Sequence, residues 1–237
     1  MLGRLAAWLT SMVVGSAEAS KAPQWDARAG VWVGGKAGSG SGVETPDPLW
    51  IFGYGSLCWR PDFPHEETMV CRVSDWGRYF AQSSCDHRGT PDSPGLVATL
   101  LEDGELAARG LRDASLPPST TCGLAYRVGP ADVDSVLENL DVREKGGYTR
   151  AVVTVYPAGS DAQRAPVSAL IYSATPDNPN FAPSALSDLP GAAHTIAGAH
   201  GPSGANREYL EKLAQWLDKV GETDEHVASL MRHLPPR

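Results

Sequence analysis

From residue 49 onward the hydrophobic period changes in a definite order, and that order constrains the fold more than any single motif. Leu49-Trp50-Ile51-Phe52 is a short apolar run that stops at Gly53, as a buried strand does before a glycine turn. Strand candidates follow at residues 69–73, 78–83 and 96–101, with Asp75-Trp76-Gly77 turning between the first two. In 121–128, Cys122, Leu124, Tyr126 and Val128 alternate onto one face, the pattern of a half-buried strand. Only then does the period lengthen. Pro130 opens a helix on which Val133, Val136, Leu137 and Leu140 share a side. Two more strands are expected at 150–156 and 165–172, then a turn-rich stretch to Pro190, then helix. Tyr209, Leu210, Leu213, Leu217 and Val220 form one stripe, and Val227, Leu230, Met231 and Leu234 another. Strands first, one helix between strands and helices last imply an α+β fold with a mixed or barrel-like sheet rather than a regular βαβ array.

The preceding 44 residues read differently. They carry four basic and three acidic residues, whereas the whole 237-residue chain has 20 Lys+Arg against 28 Asp+Glu, a net of −8. That balance argues against a general nucleic-acid or anionic-membrane binder. Residues 5–14 form an apolar run behind Arg4, with Ser16-Ala17-Glu18-Ala19 after it. This outlines a signal peptide but is too short for a membrane span. A targeting segment and a plain extension both remain open. The Gly/Ser-rich stretch 34–42 reads as a flexible linker. Residues 1–44 are therefore expected to be an extension, and 45–237 one catalytic domain. The four cysteines, Cys58, Cys71, Cys85 and Cys122, form no CxxC pair and meet no histidine at zinc spacing. They are expected to be isolated buried thiols, with no metal site. His226 and His233, seven apart on the last helix, read as surface residues.

Four segments hold polar or glycine-rich residues that packing does not require. Gly53-Tyr54-Gly55-Ser56-Leu57 follows a buried strand, and its glycines allow backbone amides to turn inward around an anion. It matches neither the dinucleotide fingerprint nor a Walker loop, and a plain turn is the alternative. Around Asp86-His87-Arg88-Gly89-Thr90-Pro91, His87 and Arg88 either face a substrate or sit in a solvated loop. In Asp141-Val142-Arg143-Glu144-Lys145-Gly146-Gly147-Tyr148 the charges form a solvated helix end, or one carboxylate turns into a pocket as a proton carrier, with Glu144 best placed for it. Gly201-Pro202-Ser203-Gly204-Ala205-Asn206 leads into the long helix, with Ser203 or Asn206 as its expected cap.

Taken together and in order, Trp50 to Leu57, His87 to Pro91, Leu140 to Tyr148 and Gly201 to Gly204 resemble the ChaC-like γ-glutamylcyclotransferases, in their glutathione-specific branch. The tail Asp224-Glu225-His226 is similar too, and the resemblance runs from about Leu49 to Leu234. It implies a small barrel-like fold that cleaves glutathione to 5-oxoproline and cysteinylglycine with no cofactor. It also implies that Tyr54, Gly55, Ser56 and Leu57 cradle the γ-glutamyl group, that Glu144 is the catalytic carboxylate, and that Arg78 and Tyr172 bind substrate. Cys58 after the loop, and a single basic residue in Arg78-Tyr79-Phe80, depart from the family pattern. A cyclotransferase for other γ-glutamyl amines or dipeptides, and a non-catalytic glutathione binder, are the competing readings. A cytoplasmic location is expected, and nothing in the chain chooses between monomer and homodimer.

The implied chemistry is intramolecular. The α-amine of the γ-glutamyl group attacks its own γ-carbonyl, so positioning supplies much of the acceleration. A free Glu titrates near 4.3, too low for a base that must later act as an acid, so partial burial of Glu144 is expected.

Overall fold

A computed structural model describes residues 43–143 and 148–236, Val142 and Arg143 by backbone alone, and also the backbone of 24–26 and 31–33. Strands β1 (Gln24–Asp26) and β2 (Val31–Val33) pair antiparallel with each other. Next come β3 (Trp50–Gly53), β4 (Glu67–Ser74), β5 (Trp76–Ser84), β6 (Gly95–Glu102), α1 (Asp103–Ala108), β7 (Thr120–Arg127) and α2 (Val133–Arg143). They are followed by β8 (Thr149–Pro157), β9 (Val167–Ser173), α3 (Ser184–Ser187), α4 (Leu189–Gly198), β10 (His200–Gly201), β11 (Gly204–Ala205), α5 (Asn206–Lys219) and α6 (Glu225–His233).

Five strands close into a barrel in the order β3-β7-β4-β8-β9. Its ladders are antiparallel except for the seam, where β9 lies parallel to β3 with Ile51 opposite Leu170. Alternation explains which strands face water. Along β4, Met69, Cys71 and Val73 point inward between less buried neighbours, and along β8 Val153 and Val155 do the same. The seam strands are apolar on both faces because both are covered. Trp50, Phe52, Ala169 and Ile171 join the main core, while Leu49, Ile51, Leu170 and Tyr172 pack with Val136 and Leu140 of α2.

The chain leaves the barrel at Asp75, whose positive φ of 67° makes a one-residue corner between β4 and β5. Strands β5 and β6 then form a separate antiparallel ribbon. Helices α4, α5 and α6 pack on one another, and α5 and α6 reach back to this ribbon. Their apolar stripes supply the contact: Tyr209, Leu210, Leu213 and Leu217 from α5, and Val227 and Leu230 from α6, are all buried. Asp188 and Asp224 cap α4 and α6 by accepting from Gly191 N and Val227 N.

Asn206 departs from the expected cap. It is the first residue inside α5, fully buried, and its amide reads the backbone of Leu96 in both directions, at 2.7 and 2.8 Å. The amide thus stitches α5 to the start of β6. Ser203 does not cap the helix either; it lies in the short turn between β10 and β11. Periodicity missed α1 and α3, each too short to show a stripe, and the two- and three-residue strands β1, β2, β10 and β11. Among the described residues no helix is long and apolar enough to cross a membrane.

Candidate active site

Beyond the end of β3 the chain enters a single 3-10 turn, Ser56–Cys58. Gly55 O and Ser56 O accept from Cys58, Trp59 and Arg60, so the turn consumes carbonyls rather than its leading amides. The loop is tied down on several sides. Tyr54 donates its hydroxyl to the Tyr172 carbonyl at 2.5 Å, Tyr126 donates to the Leu57 carbonyl, and the Cys58 thiol meets Gly53 O at 3.4 Å. Gly55 lies so close to Tyr209 that a Cβ there would stand 2.5 Å from the tyrosine hydroxyl oxygen. Only glycine permits this approach.

A cavity of about 570 Å³ opens over the loop, lined by Tyr54, Gly55, Ser56 and Leu57. On one side stand Leu140 from the end of α2, Tyr148 and Tyr172. Tyr172 donates its hydroxyl to Asp141 at 2.9 Å, and Arg150 grips the same carboxylate through Nε at 3.0 Å and through Nη2. Burial pushes the Tyr172 phenol well above its ordinary range, so it acts as a donor and not as an anion. On the other side stand Gln82, residues 83–88, Asn180 and Tyr209.

The ChaC-like protein family model matches residues 49–235. The chain belongs to the ChaC-like family. Glutathione-specific γ-glutamylcyclotransferase 1 of Homo sapiens is 41% identical over 190 residues, 78% of each chain. The glutathione-specific γ-glutamylcyclotransferase of Schizosaccharomyces pombe is 38% identical over 186 residues, 77% of this chain and 90% of its own. The crystal structure of a selenomethionine-labelled yeast γ-glutamyl cyclotransferase specific to glutathione superposes with a TM-score of 0.70 at 29% identity. That alignment covers 78% of this chain and 95% of the yeast one.

In this ChaC-like chain the expected site residues do not all meet. Tyr54, Gly55, Ser56, Leu57 and Tyr172 share the cavity, as do His87 and Arg88. Glu144 lies outside the described residues, as does the rest of 144–147; its nearest described neighbours in sequence that line the cavity are Leu140 and Tyr148.

Arg78, by contrast, is not among the cavity-lining residues. Its side chain is 0% exposed, bonded through Nη1 to Asp224 at 2.8 Å and through Nη2 to the Cys122 carbonyl. These bonds tie the start of α6 to β5 and β7. His226 is likewise no surface residue. Its Nε2 accepts from Phe80 N at 2.9 Å, the ring stacks on Phe80, and burial pushes it down to about 4.

Cys58, Cys71 and Cys122 are buried free thiols, pushed up to about 12 by burial. Cys85 is less enclosed and lines the cavity. Among the described residues no group of His, Cys, Asp and Glu is arranged to hold a metal.

Gln82, Asn180 and Tyr209 escaped the sequence reading. Tyr209 has the spacing of a core residue and is one; its ring packs on Phe80 while it also lines the cavity. Gln82 did carry a signal, being an uncharged polar residue inside a strand that is otherwise mostly buried.

Proposed function

We propose that this ChaC-like chain is a glutathione-specific γ-glutamylcyclotransferase, a lyase that releases 5-oxoproline and cysteinylglycine. The observation that carries the reading is a convergence. The Tyr54-Gly55-Ser56-Leu57 loop and the two residues that bracket Glu144 in sequence, Leu140 and Tyr148, line one cavity, in a chain whose relatives carry that name at 41% and 38% identity.

In this mechanism the loop holds the γ-glutamyl end in a bent conformer, with Tyr54 and Tyr172 fixing its walls. Glu144 takes a proton from the substrate α-ammonium. The freed amine attacks the γ-carbonyl carbon and forms the lactam C–N bond. Glu144 passes that first proton to solvent, takes the surplus proton from the new lactam nitrogen, and delivers it to the cysteine nitrogen as the bond to that nitrogen breaks. No water is consumed. Holding both reactants of one molecule in register is worth up to roughly 7–11 kcal/mol in ideal intramolecular cases, and a placed proton carrier adds about 10²–10⁴-fold.

The test is a product assay on purified wild type and Glu144→Gln. Wild type is expected to form 5-oxoproline and cysteinylglycine in equal amounts, and the variant to lose turnover by about 10²–10⁴-fold while unfolding at the same urea concentration. Full turnover by the variant removes Glu144 from its role. A higher rate on γ-glutamyl-alanine than on glutathione favours the broader cyclotransferase, and tight calorimetric binding without product favours a binder. The reducing cytoplasm, where glutathione is abundant, is the proposed location. The four free cysteines support it.

A further inference from the structure

Glutathione carries a second carboxylate, on its glycine, and cleavage requires the cysteinylglycine half to be held as well. Among the described residues two arginines line the cavity. Arg60 is 69% exposed and paired with Asp62 at 2.7 Å, so solvent screens most of its charge. Arg88 is 11% exposed and keeps more of its field. Its Nη1 donates to the Ala205 carbonyl at 3.0 Å and to Glu208 at 3.3 Å. Nε and Nη2 have no partner among the described residues, and that edge is the two-donor fork that matches a carboxylate. Glu208 does not cancel Arg88, because Lys212 shares it at 2.7 Å. Two cations divide one anion.

Gln82 lines the same cavity and is 2% exposed. Asn178 Oδ1 accepts from Asn180 N at 2.8 Å, which identifies it as the oxygen, so Gln82 must offer its Nε2 to it, at 3.5 Å. Gln82 Oε1 is then left as a buried acceptor with no partner among the described residues. Such groups are rare in folded proteins, and a donor on a bound ligand would satisfy this one. The spacing agrees. The Arg88 guanidinium lies 5.6 Å from the centre of the Tyr209 ring, and it is the Tyr209 hydroxyl that closes on Gly55. Arg88 thus stands about one tyrosine from the loop, and two extended residues span about 7 Å.

Resting on the activity proposed above, we infer that Arg88 and Gln82 form the subsite for the leaving dipeptide. Arg88 takes the glycine carboxylate, and Gln82 Oε1 accepts a peptide N–H of the cysteinylglycine half. This subsite is what makes the enzyme prefer glutathione to γ-glutamyl compounds without a charged far end.

The test compares glutathione with its glycine ethyl ester, which keeps the γ-glutamyl end and removes the far charge. Wild type is expected to favour the acid by about tenfold or more in kcat/KM, mostly through KM, as a charge-assisted pair would. In Arg88→Gln the preference should fall to about one, and Arg88→Lys, with charge but no fork, should lie between. A wild type that does not distinguish the two, or an Arg88→Gln that slows on both with the preference intact, overturns the assignment. The wild-type comparison stands even if a variant fails to fold. Calorimetric titration of wild type with both compounds separates the two proposals. A protein that binds the acid more tightly yet makes no product keeps the subsite and loses the activity, while one that binds neither loses both.

Discussion

The hydroxyl oxygen of Tyr209 stands 2.5 Å from the point that a Cβ on Gly55 would occupy. The tyrosine has little room to yield, since its ring meets Trp59 and Phe80 edge-on at 5.4 and 5.7 Å and Arg88 lies over it. Gly55→Ala is therefore expected to push the loop out of register, at about 1–3 kcal/mol for the overpacking, read as a lower kcat/KM. Tyr209→Phe in the same chain removes the clashing atom, and the next ring atom is 3.8 Å away. Part of the activity should return. Strictly additive losses in the double variant would reject the contact as the cause.

Arg78 and Asp224 allow a structural role for the arginine to be separated from a binding one. With the arginine side chain 0% exposed, Asp224→Asn leaves a buried cation without its counter-ion, a loss of about 3–5 kcal/mol in such pairs. Urea unfolding should report that loss. The KM for glutathione, measured where the variant is folded, should stay within about twofold, since no substrate contact is removed. A large rise in KM with undiminished stability would return Arg78 to the binding site.

His226 predicts how the fold responds to acid. Its ordinary pKa of 6.5 falls to about 4 in the fold because of burial, with Arg78 adding to the fall and Asp224 opposing it. Between those values the unfolded chain binds a proton that the folded chain refuses, so stability drops as the pH falls from about 6.5 towards 4. At about 1.4 kcal/mol for each pH unit, this group contributes roughly 3 kcal/mol. Urea midpoints at pH 7 and pH 4.5 should differ more in wild type than in His226→Gln. Equal differences would show that other groups carry the acid sensitivity.

The thiols should divide three to one. Cys58, Cys71 and Cys122 are pushed up to about 12 and buried, whereas Cys85 is also raised but only partly enclosed. An aromatic disulfide reagent should label one cysteine in the native protein and four after denaturation, because the thiolate must form and be reached. Mass mapping that finds any of the other three labelled first would contradict the packing described here.

The site was legible in the sequence where function interrupts packing. The glycine loop ends an apolar run, the His87-Arg88 segment sits in a turn-rich stretch between two strands, and both line the cavity. Gln82, Asn180 and Tyr209 were not, because a side chain on a strand or helix looks the same in one dimension whether it faces the core, a partner or a cavity. His226 was misread, and the partners of Arg78 were hidden, for the same reason. Each is defined by a residue 146 positions away, through the contacts Arg78–Asp224 and Phe80–His226.

The strand and helix pattern came from the sequence alone, because periods of 2 and 3.6 record which side of each element is shielded from water. So did the double-sided burial of the run that became β3, which is apolar at every position. Tertiary structure decided the partners: the parallel closure of β9 on β3, the departure of β5 and β6 into their own ribbon, and the meeting of Arg88 with Tyr209. Alternation says that a face must be covered. It does not say by what, since apolar burial is non-directional and many partners would satisfy it; only the closed barrel and the helices packed beside it select one.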